Sequence, residues 1–115
     1  MSDYEVIATG LQFPEGPVVM PDGSIVVVEV KRGTISRIDE TDGSIEIVAQ
    51  PGGGPNGAAI GPDGLLYVCN NGGFTWSDAR GLTVPGLAAE DYSSGRIERI
   101  DIETGEVDVL YADVS

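Results

Sequence analysis

The stretch Phe13–Ile25 reads FPEGPVVMPDGSI, and it returns at Gly54–Leu66 as GPNGAAIGPDGLL. Pro14, Gly16, Pro21, Asp22 and Gly23 recur 41 positions on as Pro55, Gly57, Pro62, Asp63 and Gly64. The turn-forming residues are kept, while the polar residue between them changes from Glu15 to Asn56. Turn residues that recur at a fixed period mark a repeated supersecondary unit. The repeat continues at a longer offset. Gly33–Asp39, GTISRID, maps onto Gly95–Asp101, GRIERID, 62 positions on, and Asp42–Val48 maps onto Thr104–Leu110. The extra 21 residues are an insertion between Asn70 and Ser94, carrying Trp76, Gly81, Pro85 and Gly86. A partial third copy stands at the N-terminus, where Tyr4–Ala8, YEVIA, aligns with Ile45–Ala49, IEIVA.

Each unit resolves into four short strands. In the first unit, Gly16–Met20 precedes a Pro-Asp-Gly turn, and Ser24–Val30 is almost wholly apolar, as in a strand buried on both faces. Thr34–Asp39 follows the turn at Lys31–Gly33, and Ser44–Ala49 alternates polar and apolar residues. Four antiparallel strands at a period near 40 predict an all-β chain built as β-propeller blades. The expected division is a closing strand over 4–8, blade one over 14–50 and blade two over 55–112, with the insertion at 71–94. Tyr4–Ala8 resembles an outermost strand and precedes the first innermost one, the order in which one chain end closes a ring. A propeller closes with about four to eight blades. Two blades and a spare strand therefore predict the N-terminal portion of a longer protein. The alternative is a two-blade chain that assembles as a trimer, and open blade edges leave room for self-association.

Composition narrows the function. The 115 residues allow one domain. The net charge of −13 repels phosphate backbones and anionic membranes, so neither nucleic acid nor membrane is an expected partner. No run of 18 apolar residues occurs and the start, MSDYE, lacks a signal-peptide pattern, which gives a cytoplasmic expectation. The absence of His excludes Ser-His-Asp and Cys-His catalysis within the chain. The single cysteine, Cys69, lies in the run LLYVC and reads as a packed strand thiol.

Glu15 and Asn56 fall at the entry of the first strand of successive blades, the strand that faces the channel in a propeller. One oxygen ligand per blade is a way to build a ring of donors around a cation. A carboxylate and an amide oxygen, without His or Cys, suit a hard cation such as Ca²⁺ or Mg²⁺. Two ligands are too few for Ca²⁺, which takes about six to eight oxygens. The plainer reading is that both residues cap turns, since Pro-Asn-Gly is itself a common turn.

The segments LQFPEGPVVMPDGSIVVVEV, GGGPNGAAIGPDGLLYVCNNGG and GRIERIDIETGEV resemble the start of the SMP-30/gluconolactonase/LRE-like family, also called regucalcin-like, across essentially the whole chain. The resemblance implies a six-bladed propeller that hydrolyses small-molecule lactones or esters with a divalent cation in its channel. Ca²⁺ is the first expectation, with Mg²⁺, Mn²⁺ and Zn²⁺ as alternatives. By the same resemblance Glu15 is the first-blade metal ligand. The family's Asn and Asp ligands come from later blades, and that Asp is also the catalytic base, so this chain carries no catalytic residue. Asn56 is then channel-lining and substrate-contacting. Glu29 and Asn70, equivalent to each other at the end of the second strand, read as surface or interblade hydrogen bonding before any role as support to the site. In the insertion, Phe74 and Trp76 either pack the loop onto its blade or form a substrate wall. Taken alone, the chain is expected to be inactive. A non-catalytic binding module is the competing function.

Overall fold

The computed structural model describes residues 4–90, 92 and 94–114. Ten strands and no helix are formed among them: β1 Pro14–Val19, β2 Ile25–Glu29, β3 Thr34–Ile38, β4 Ile45–Ala49, β5 Pro55–Ile60, β6 Leu66–Asn70, β7 Phe74–Ala79, β8 Leu82–Ala88, β9 Gly95–Ile100 and β10 Val107–Val114. Strands β1-β2-β3-β4 make one antiparallel sheet in chain order. A second sheet has the order β10-β9-β6-β5 and is the same unit, with the hairpin β7–β8 inserted between its second and third strands. No helix among the described residues is long and apolar enough to cross a membrane.

The turns close where the repeated residues demand. Gly23 and Gly64, at φ 88 and 80, end the Pro-Asp-Gly turns in a region that β-carbons disfavour. The preceding aspartates finish the turns: Asp22 accepts from Ser24 N and Asp63 accepts from Leu65 N.

Alternation along the second strands explains how the sheets stack. Val26 and Val28 of β2 face one way and meet Leu66 and Val68 of β6, in a core shared with Ile35, Ala49, Ile100 and Ile102. This core lies between the sheets, so the blades bury their apolar area against each other. Cys69 is the repeat equivalent of Val28. Val28 is 0 % exposed beneath the second sheet, whereas Cys69 is exposed on the far face of that sheet. The packed thiol expected from the sequence is therefore corrected: its apolar run is real, but no described element lies over that face.

Tyr4–Ala8 forms no strand in this chain, since every ladder of the first sheet is internal to β1–β4. Its position is nonetheless specific. A methyl group built on Gly43 would stand 2.6 Å from the carbonyl oxygen of Ile7. A methyl on Gly105, the repeat equivalent of Gly43, would stand 2.6 Å from that of Val48, the repeat equivalent of Ile7. The N-terminal segment thus lies against the β3–β4 turn of blade one as β4 lies against the β9–β10 turn of blade two.

Candidate functional site

The innermost strands, β1 and β5, run side by side. At their closest approach a β-carbon on Gly16 would stand 3.0 Å from Ala58 N and 3.4 Å from Gly57 Cα. Only a residue without a side chain at position 16, where φ is 54, lets the two backbones meet. Both strands are irregular at the same point. The register of β1 against β2 shifts between Glu15 and Val18, and that of β5 against β6 shifts between Pro55 and Gly57. Bulges of this kind re-aim a side chain near a strand end. Glu15 is the last paired residue before its bulge, and Asn56 lies within the other.

Glu15 and Asn56 are both exposed at these edges. Neither side chain makes a hydrogen bond or ion pair with the described residues, so their oxygens are uncommitted. Oxygen donors alone fit a hard cation, but the chain brings only one carboxylate and one amide to this place. Among the described residues no group of three or more His, Cys, Asp or Glu side chains is arranged to hold a metal.

A buried polar cluster stands one strand behind each of these residues. Pro14 pairs with Glu29 and Pro55 with Asn70 across the sheets. Glu29 is 0 % exposed. Its Oε1 accepts from Gln12 N at 2.7 Å and Arg32 Nε at 2.9 Å, and its Oε2 accepts from the hydroxyls of Thr34 and Ser36. Burial pushes this carboxyl up, but the bonds from Ser36, Arg32, Gln12 and Thr34 outweigh it and hold the group below its ordinary value. In blade two, Asn70 Oδ1 accepts from Gly54 N at 3.0 Å and Gly72 N at 2.9 Å, while its Nδ2 donates to Gly52 O and to Glu98 Oε1. Glu98, 1 % exposed, also accepts from Arg96 Nε at 2.8 Å. Thr34 and Ser36 of blade one thus become Arg96 and Glu98 of blade two. The carboxylate has moved from the second strand to the third, and each blade keeps one buried acid with one arginine. This compensation was present in the sequence at the 62-residue offset, but the significance of the pairs emerges only once β2–β3 and β6–β9 are seen to be neighbours.

The insertion is a hairpin and not an irregular loop. Ala79 pairs with Leu82 around Arg80-Gly81, both at positive φ (55 and 79), the geometry of a two-residue hairpin turn. Arg-Gly is a weaker signal for that turn than Asn-Gly, which hid the hairpin in the sequence. Trp76 packs on Phe74, with ring centroids 6.2 Å apart, and on Phe13, at 5.0 Å. Phe13 belongs to the entry of blade one, two residues before Glu15. The hairpin of one blade is therefore anchored beside the candidate ligand of the other.

A cleft of about 470 Å³ lies at the opposite end of blade one among Asp22, Arg37, Asp39, Glu40 and Glu46. Asp22 and Asp39 are occupied there by turn hydrogen bonds, with Ser24 and with Thr41. That cleft is a product of the β1–β2 and β3–β4 turns.

Residues 13–113 match the family model described as SMP-30/Gluconolactonase/LRE-like region. A gluconolactonase of Zymomonas mobilis is 31% identical over 81 residues, covering 59% of this chain and 23% of the relative. The chain thus spans about a quarter of the length of that protein. The PQQ-bound aldose sugar dehydrogenase of Streptomyces coelicolor, a β-propeller, superposes with a TM-score of 0.63 at 24% identity, over 96% of this chain and 33% of that one. The two sheets are blades of a β-propeller.

Proposed function

The chain belongs to the SMP-30/gluconolactonase/LRE-like family, and from that premise we propose that it forms part of a lactone hydrolase that depends on a divalent cation. The observation that carries this reading is the placement of Glu15: an uncommitted carboxylate at a bulged innermost strand, beside the equivalent strand of the next blade. A bound cation would polarise the lactone carbonyl and lower the pKa of an attacking water. Glu15 would hold such a cation as a hard, negatively charged oxygen donor, Ca²⁺ in the first instance. Asn56, with both an acceptor and a donor, would orient a hydroxylated substrate at the neighbouring strand. The carboxylate that takes the proton from water is not supplied by these residues. The chain alone therefore lacks turnover.

Two measurements test this. Hydrolysis of a sugar lactone by the chain with Ca²⁺ should stay at the uncatalysed rate, and brisk turnover that persists in a chelator would refute the reading. Calorimetric titration with Ca²⁺ should show weak binding that Glu15→Gln removes and Asn56→Ala leaves largely in place. Binding indifferent to Glu15→Gln would withdraw its role as ligand.

A further inference from the structure

Resting on the reading of Glu15 as a cation ligand, we infer that Glu29 is its positioning residue, acting through the backbone at Gln12 and Phe13. Phe13 has a φ of 58. For a bulky residue the left-handed region is an outlier, and such a conformation persists only where its surroundings over-determine it. Three contacts do so here. The amide of Gln12, on the N-terminal side, donates to Glu29 Oε1 at 2.7 Å. The carbonyl of Phe13 itself accepts from Val30 N at 3.0 Å. The ring is held by Trp76 of the inserted hairpin. Pro14 and Glu15 follow directly, so the bend fixed at Phe13 sets where the Glu15 carboxylate stands at the start of β1.

Glu29 is suited to this because it is itself immobile. Its other oxygen is tied to Thr34 and Ser36 on β3, and Arg32 Nε balances its charge at 2.9 Å. Blade two bends earlier in the repeat, at glycines equivalent to Leu11 and Gln12, while Gly54, the equivalent of Phe13, is not left-handed. Gly52 and Gly53 take φ 73 and 62, where no side chain resists, and the neutral amide of Asn70 holds Gly54 N. The charged acceptor stands where the strained residue stands. The same position of the repeat thus steers Glu15 in one blade and Asn56 in the next.

The two halves of the Glu29 carboxylate separate positioning from stability. Gln12→Pro deletes the N–H that Oε1 accepts, besides fixing φ at position 12, and leaves the Arg32, Thr34 and Ser36 bonds in place. Ser36→Ala removes a bond to Oε2 and leaves Gln12 alone. Mn²⁺ is titrated into the isotope-labelled chain and its variants, and the paramagnetic broadening of the Gly16 amide, next to Glu15, is followed by NMR. The one-bond Cα–Hα coupling of Phe13, which separates positive from negative φ, is measured without metal. Glu29→Gln and Gln12→Pro should raise the Mn²⁺ concentration for half-broadening about tenfold, the lower end of what loss of a supporting contact costs a metal site. They should also move the Phe13 coupling away from its left-handed value. Ser36→Ala should lower the melting temperature and leave both readings unchanged. Should Glu29→Gln fail to fold, Gln12→Pro decides alone. Wild-type broadening and coupling in Gln12→Pro would overturn the inference. Glu15→Gln serves as the separate control: if it leaves the broadening at Gly16 unchanged, the ligand assignment falls, while the Phe13 coupling still decides whether Glu29 sets the bend.

Discussion

The matched contacts at Gly43 and Gly105 give a sharp test of blade stacking. Each glycine has a left-handed φ, 75 and 80, and each would place a methyl group 2.6 Å from a backbone carbonyl oxygen of the neighbouring segment. An alanine at either position carries two costs. The left-handed backbone costs about 1–2 kcal/mol. The overlap forces the carbonyl to move, and overpacking of that kind costs about 1–3 kcal/mol more. Gly105→Ala and Gly43→Ala should each lose roughly 2–5 kcal/mol in urea unfolding followed by circular dichroism. The two variants should part company when residues 1–10 are deleted. Deletion removes Ile7, the neighbour of Gly43, and leaves Val48, the neighbour of Gly105. In the shortened chain the cost of Gly43→Ala should fall to the backbone part alone, about 1–2 kcal/mol, while that of Gly105→Ala stays whole. An unchanged Gly43→Ala cost in the shortened chain would show that the N-terminal segment does not occupy the place of a fourth strand.

Two further outcomes follow from the same structure. Val28→Ala should cost about 2 kcal/mol, two buried methyl groups and a cavity, whereas Cys69→Ala at the equivalent, exposed position should be near neutral in the same denaturation assay. Because the Glu29 carboxyl is held below the ordinary glutamate value of 4.5, its contribution to stability is complete above that pH and is lost as pH falls through the lowered value. Ser36→Ala removes the strongest of the bonds that lower it, so the stability lost on acidification below pH 4.5 should be smaller in that variant. An equal acid loss in both proteins would contradict the assignment.

The blades were legible in the sequence because their punctuation repeats. Pro21-Asp-Gly23 and Pro62-Asp-Gly64 fix the first turns, and the apolar run before Glu29 marks a strand covered on both sides. That Glu15 and Asn56 stand at equivalent places on β1 and β5 was legible too, from the 41-residue offset. What surrounds Glu15 was not. A left-handed backbone at Phe13 has no compositional mark, since the sequence offers no glycine there. The contact between Phe13 and Trp76 joins residues far apart in the chain, from different blades. The buried clusters were half visible. Glu29 and Asn70 align, but a carboxylate in one and an amide in the other look like drift until Ser36 and Glu98 are found opposite them on the third strands. The fate of Cys69 could not be read from its apolar neighbours, because burial depends on what lies over the sheet and not on the strand.

The most direct test of the account is where a cation goes. Crystals of the chain soaked in Mn²⁺ and measured at the manganese edge should show an anomalous peak within coordination distance of the Glu15 carboxylate, on the side of Asn56. A peak confined to the acidic cleft of Asp22, Asp39 and Glu40 at the other end of blade one, with none at Glu15, would contradict it.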